Sequence, residues 1–100
     1  MGRLRYSPAA RTDLQKIVLD IIDNNGALVA ERVLVRLRRS LSNLADYPEL
    51  GRKRPRLGRG VRSWAYRPWI AFYRVNNDNV EVIRVLHGKR RITRKLLAEK

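Results

Sequence analysis

The sequence predicts an α+β domain of two layers, a helical hairpin packed on a small antiparallel β-sheet, and three observations carry that expectation. Apolar residues recur at the helical period over 9–24 and again over 27–47, the stripe of an amphipathic helix with one face to bury. Only Asn24-Asn25-Gly26 separates the two stretches, so the second helix must turn back beside the first. From residue 61 the period changes to two, in segments rich in Val, Ile, Trp and Tyr, the pattern of half-buried strands. A sheet with one apolar face and helices with apolar stripes stack as two layers.

Arg3-Leu4-Arg5-Tyr6 alternates as a short N-terminal strand. Ser7-Pro8 opens the first helix, because serine suits the N-cap and proline the first helical position. Its stripe is Leu14, Ile17, Val18, Ile21 and Ile22, and Gly26 can take the left-handed conformation that stops it. The second helix carries Ala30, Val33, Leu34, Leu37, Leu41, Leu44 and Ala45, and Pro48 ends it. Pro48–Gly60 reads as a loop with five basic residues. Strands follow at Val61–Tyr66, Trp69–Asn76 and Val80–His87, joined by Arg67-Pro68 and by Asn77-Asp78-Asn79. Connections this short favour antiparallel pairing. Ile92–Lys100 is a basic tail with room for a helical turn or two. One core is expected, holding Leu14, Ile17, Val18, Ile21, Leu34, Leu37, Leu41, Phe72 and Val82.

At 100 residues the chain makes a single domain, 1–100, that can bury about two-thirds of its unfolded surface. No window reaches the roughly 18 apolar residues of a membrane span. Met1-Gly2-Arg3-Leu4-Arg5 has no apolar run behind it, so no signal peptide is expected. The absence of cysteine excludes disulfide scaffolds, thiol chemistry and Cys-based zinc sites. The formal charge is +14, with a pI near 11.5, and 18 of the 23 basic residues are arginine. Arginine presents a planar fork to carboxylates and phosphates and a face for stacking. The charge therefore points to nucleic acid or an acidic protein partner rather than to solubility alone.

Residues for chemistry are few. The one histidine, His87, ends the last strand; a lone imidazole can act as acid or base but cannot build a multi-histidine metal site. No metal or cofactor is expected. The serines show no nucleophile elbow. Gly58-Arg59-Gly60 is too short to cradle phosphate, and Asp78 and Glu81 sit by a hairpin turn rather than as a catalytic pair. The cations are better organised. Arg32, Arg36 and Arg39 stack on one face of the second helix, a repulsive arrangement unless Asp20 and Asp23 or a partner neutralises it. A second group fills the loop 52–59. Arg62, Arg74 and Arg84 lie one in each late strand, where burial demands partners. Trp64, Tyr66, Trp69, Phe72 and Tyr73 lie among them, in a pattern that suits RNA stacking, an interface or a plain sheet core.

Taken in order, Ser7…Asp13-Leu14…Ile17, Leu44-Ala45…Pro48…Leu50-Gly51-Arg52, Val61-Arg62-Ser63, Phe72-Tyr73-Arg74-Val75 and Val82-Ile83-Arg84-Val85-Leu86-His87-Gly88-Lys89-Arg90 resemble the RelE/ParE toxin superfamily over nearly the whole chain. The ending Ile83–Arg90 looks like the ParE branch. The resemblance implies a helical hairpin on an antiparallel sheet and a toxin–antitoxin hetero-oligomer in the cytoplasm, with an acidic, DNA-binding, ParD-like antitoxin. For the ParE branch it implies poisoning of DNA gyrase without enzymatic activity. Arg62, Trp64, Arg84, His87, Lys89, Arg90 and Arg91 are then the candidates for target contact, and Arg32, Arg36, Arg39, Arg52, Arg54 and Arg74 for antitoxin contact. For the RelE branch it implies mRNA cleavage on the ribosome. His87 would then be the base, with Arg62, Arg84 and Arg90 stabilising charge. A third reading is a general nucleic-acid-binding module.

Overall fold

In a computed structural model, which describes residues 2–98, the order of elements is β1 (Leu4–Tyr6), α1 (Pro8–Asn25), α2 (Ala27–Asp46), β2 (Arg52–Lys53), a 3₁₀ turn (Pro55–Leu57), β3 (Arg62–Tyr66), β4 (Trp69–Asn76), β5 (Asn79–His87) and α3 (Arg94–Ala98). The α1 N-terminus is capped as the sequence predicts. Ser7 is extended, Pro8 takes the first turn, and the Ala10 N–H donates to Ser7 Oγ at 3.0 Å. Such a cap contributes about 1 kcal/mol. At Gly26 the φ of 89° is a backbone that side chains resist, and it lets one residue end α1 and begin α2. No described helix is long and apolar enough to cross a membrane.

The sheet order is β1-β5-β4-β3-β2. β3/β4 and β4/β5 are antiparallel. Asn77 and Asp78 both have positive φ in the second hairpin, the backbone a two-residue turn needs to match strand twist. Two features differ from the expectation. β1 pairs with β5 in parallel, with Leu4 opposite Val80 and Tyr6 opposite Val82, so the sheet is mixed. The long helical connection from β1 imposes no antiparallel sense, as a tight hairpin would. The 48–60 loop also contributes an edge strand, β2, antiparallel to β3.

The core is double. On one face of the sheet Leu14, Ile17, Leu37, Leu41, Leu44, Tyr73, Val80, Val82 and Val85 are buried against the helices, with Ile21 and Leu34 packed at the margin and Val18 half-buried. Phe72, expected in this layer, belongs instead to a second cluster with Val61, Ile83, Leu86 and Leu97. Strand parity explains the correction: Ala71 and Tyr73 face the helices, so Phe72 between them points the other way. The tail covers that second face. Leu97 is buried, with Leu57, Ile92 and Leu96 packed beside it, so part of what reads as a basic appendage is core. Glu99 and Lys100 lie outside the described residues.

Candidate functional site

The edge of β5 organises the first half of the site. β1 ends at Tyr6, so the outer edge of β5 beyond Val82 lacks a strand partner. Side chains and backbone at the start of α1 take its place. The Ser7 N–H donates to Val82 O (2.9 Å) and Ser7 Oγ to Ile83 O (2.6 Å). The Val85 N–H donates to Asp13 Oδ2 (3.0 Å). A bulge shifts the register here, so that Phe72 faces Arg84 and Tyr73 faces Val82. Bulges re-aim side chains, and this one takes Arg84 off the face shared by Val80 and Val82 and sets it opposite Phe72. Arg84 Nε donates to Asp13 Oδ2 (2.7 Å), Nη2 to Oδ1 (2.9 Å) and Nη1 to Leu96 O (2.8 Å). The pair is 6% and 5% exposed. One guanidinium thus ties α1, β5 and α3 together. It is the only ion pair between described residues, so Asp20 and Asp23 do not neutralise Arg32, Arg36 or Arg39 there.

Beyond the bulge, His87 stands exposed at the end of β5, opposite Trp69. Its Nδ1 accepts the Lys89 N–H (3.1 Å), and the Arg90 N–H donates to His87 O (3.0 Å). The His87–Arg90 turn therefore presents Lys89, Arg90 and Arg91, all exposed. Among the described residues no carboxylate is hydrogen-bonded to His87.

Arg62 and Tyr73 hold the 48–51 loop. Arg62 Nη1 donates to Gly51 O (2.8 Å), and Tyr73 Oη donates to Pro48 O (2.7 Å) while accepting the Gly51 N–H (2.8 Å). A side chain at Gly51 would overlap the Tyr73 ring, which accounts for glycine in Leu50-Gly51-Arg52. Burial pushes the Tyr73 phenol above its ordinary value, against the smaller opposing effects of the Gly51 N–H and the Arg62 charge. A raised folded pKa gives stability that is complete below pH 10 and lost as pH rises through the folded value. Tyr73→Phe should cost about 1–3 kcal/mol at pH 7, from the unmade bonds. It should also flatten the alkaline loss to the part due to Tyr6, whose phenol burial likewise raises. Urea melts at pH 7 and above pH 10 read both effects.

Three strand aromatics pack on the helix side of the sheet. Trp64 Nε1 donates to Ser40 Oγ on α2 (3.0 Å), and Trp64, Tyr66 and Trp69 pack against the helix-side core. Arg74 is exposed, with Nε donating to Arg59 O (3.1 Å).

Arginine-edged grooves open on both sides of the sheet. On the helix side a groove of about 520 Å³ runs between β1, α1 and α2, floored by Tyr6, Leu14, Val18 and Leu34 and edged by Arg11 and Arg38. The Arg38 guanidinium lies 5.8 Å from the Tyr6 ring centre. Arg11 and Arg38 are absent from the sequence-based candidates, yet each directly flanks an apolar stripe, and that adjacency was the available signal. Arg32, Arg36 and Arg39 line a shallower groove on α2 with the exposed Leu28 and Val35. On the other side, Arg52, Lys53, Arg54 and Arg56 line a cavity with Ile92. Arg52 and Arg54, grouped by sequence with the α2 arginines, therefore adjoin the tail instead.

Comparison with known proteins assigns this arrangement. The family described as the ParE toxin of the type II toxin–antitoxin system parDE matches residues 4–92. Toxin ParE3 of Caulobacter vibrioides is 33% identical over 96% of both chains. The fold is that of a chain from the chromosomal ParDE system of P. aeruginosa (TM-score 0.76, 22% identity, 87% of this chain and 96% of that one). It also matches a chain of the RelBE2 toxin–antitoxin complex of Mycobacterium tuberculosis (TM-score 0.64, 23% identity, 86% and 96%). The chain belongs to the ParE toxin family of type II toxin–antitoxin systems.

Proposed function

We propose that this toxin acts by binding and poisoning DNA gyrase, without chemistry of its own, and is held in check in the cytoplasm by an acidic ParD-like antitoxin. The observation that carries the reading is the commitment of Arg84. A nuclease would need that guanidinium at a developing phosphorane, together with a positioned acid and base. Here Asp13 and the Leu96 carbonyl engage it inside the fold, and the His87 Nδ1 accepts from a backbone N–H. What remains outside is a cationic turn, His87–Arg91, suited to docking. The groove between α1 and α2 supports the antitoxin half of the reading: an apolar floor with arginine edges fits an amphipathic acidic segment.

Expression of the chain in cells lacking the antitoxin tests the target. Double-strand DNA breaks with an SOS response are expected, and reversing Arg90 and Arg91 to glutamate should weaken both. Codon-dependent cuts in ribosome-bound mRNA without DNA damage would instead select the RelE-like ribonuclease. Deleting Ile92–Lys100 is no substitute for the charge reversal, because it removes Leu97 from the second core.

A further inference from the structure

We infer that the face formed by the 52–56 loop and the tail is a sequence-independent binding site for the phosphate backbone of duplex DNA, separate from the α1/α2 groove proposed to take the antitoxin and sharing Arg90 and Arg91 with the turn proposed to dock on gyrase. This goes beyond the gyrase reading and does not depend on it.

Charge and apolar exposure divide unevenly over the molecule. No carboxylate occurs from Leu50 to Asn77 or from Val82 to Ala98. The fold joins parts of these two acid-free stretches. Ile92 closes the cavity lined by Arg52–Leu57, and α3 packs on the 3₁₀ turn. The apolar residues of both segments, Leu57, Ile92, Leu96 and Leu97, turn inward onto the second core. Arg52, Lys53 and Arg56 stay exposed on one segment, and Arg90, Arg91 and Arg94 on the other.

The large exposed hydrophobics lie elsewhere. Leu19, Ile22, Leu28, Val29 and Val35 are on the helices, Tyr47 and Leu50 flank the α2 end, and Val75 is by the β4–β5 turn. Protein hot spots use arginine together with aromatics and apolar groups in desolvated pockets, and among its described residues this face offers arginine and lysine without an exposed large hydrophobic beside them. Contacts to phosphate need only cations and act through counterion release. Single-stranded nucleic acid is the less suited polyanion, because its recognition rests on stacking against exposed aromatics. Trp64, Tyr66 and Trp69 pack toward the helix-side core, and Phe72 is fully buried.

The test is fluorescence anisotropy of the full chain against a random-sequence duplex of about 20 base pairs over a salt series. Five phosphate contacts predict a loss of affinity of about 500-fold between roughly 50 and 200 mM salt. Changing Arg56, Arg90, Arg91 and Arg94 together to Gln should lower the log–log salt slope by about three to four, while the same four changed to Lys should keep it. Arg32→Gln with Arg36→Gln and Arg39→Gln should leave the slope unchanged. Melting temperatures check that each variant is folded. The inference is overturned if affinity is flat in salt, if the α2 variant loses as much slope as the loop-and-tail variant, or if a single-stranded DNA or RNA of the same length binds more tightly than the duplex. Gyrase is absent from the titration, so its failure leaves the proposed target standing.

Discussion

Asp13→Ala is expected to cost about 3–5 kcal/mol, because it removes the buried carboxylate to which Arg84 Nε and Nη2 donate. That is a large share of the 5–15 kcal/mol that holds a typical domain together. The carboxylate accepts from Arg84 Nε and Nη2 and from the Val85 N–H, so its loss also orphans a backbone donor at the β5 bulge. A double-mutant cycle separates the pair from its parts. Asp13→Leu with Arg84→Met removes both charges together and should recover most of the loss, since an apolar replacement of a buried pair is often neutral or stabilising. Urea denaturation of the wild type, Asp13→Leu, Arg84→Met and the double variant gives the cycle. A loss below about 1 kcal/mol for Asp13→Ala would be the behaviour of an exposed pair and would contradict the lock between α1, β5 and α3.

Antitoxin binding should stabilise the toxin by about 4 kcal/mol when a nanomolar partner is present at micromolar concentration. For a domain of this size that raises the melting temperature by on the order of 20 °C. The bare toxin starts with a handicap, since a charge of +14 repels itself in the compact state. The expected contacts are the apolar groove and its edges. Arg11→Glu combined with Arg38→Glu should therefore erase most of the upshift, whereas Arg56→Glu with Arg91→Glu should leave most of it. An unchanged melting temperature with the product of the neighbouring reading frame, or equal sensitivity to both variant pairs, would contradict this division of the surface.

Much of the architecture was legible in local pattern. Ser7-Pro8, Gly26 and the stripes of α1 and α2 are short-range signals, and the helices run within a residue of the boundaries they predict. The hairpin turn at Asn77-Asp78 was legible for the same reason, since those residue types tolerate positive φ. What escaped depends on contacts distant in sequence. The bulge in β5 arises where Ser7 and Asp13 replace a missing strand, some 70 residues away, and it breaks the alternation that would have put Arg84 beside Val82 and Leu86. The second core hides in a basic context. Ile92, Leu96 and Leu97 do carry helical spacing, but arginine and lysine around them lower the apparent hydropathy. The parallel sense of β1 leaves no mark in three residues. Of the candidate site, the exposed turn at His87–Arg91 was readable as a charge run at a strand end. The grouping of the 52–56 loop with the tail was not, because the chain joins them only through the second core.

Whether toxicity comes from binding rather than catalysis is tested most directly with purified components. Supercoiled plasmid, ATP and gyrase are incubated with the toxin or its His87→Ala variant, and linear DNA trapped as the cleavage complex is quantified. Both proteins should trap gyrase to a similar extent, while reversal of Arg90 and Arg91 should reduce trapping. The contrary result is no trapped gyrase with either protein and, on programmed ribosomes, mRNA cleavage that falls by about 10² to 10⁴ in His87→Ala, the loss expected for a general base.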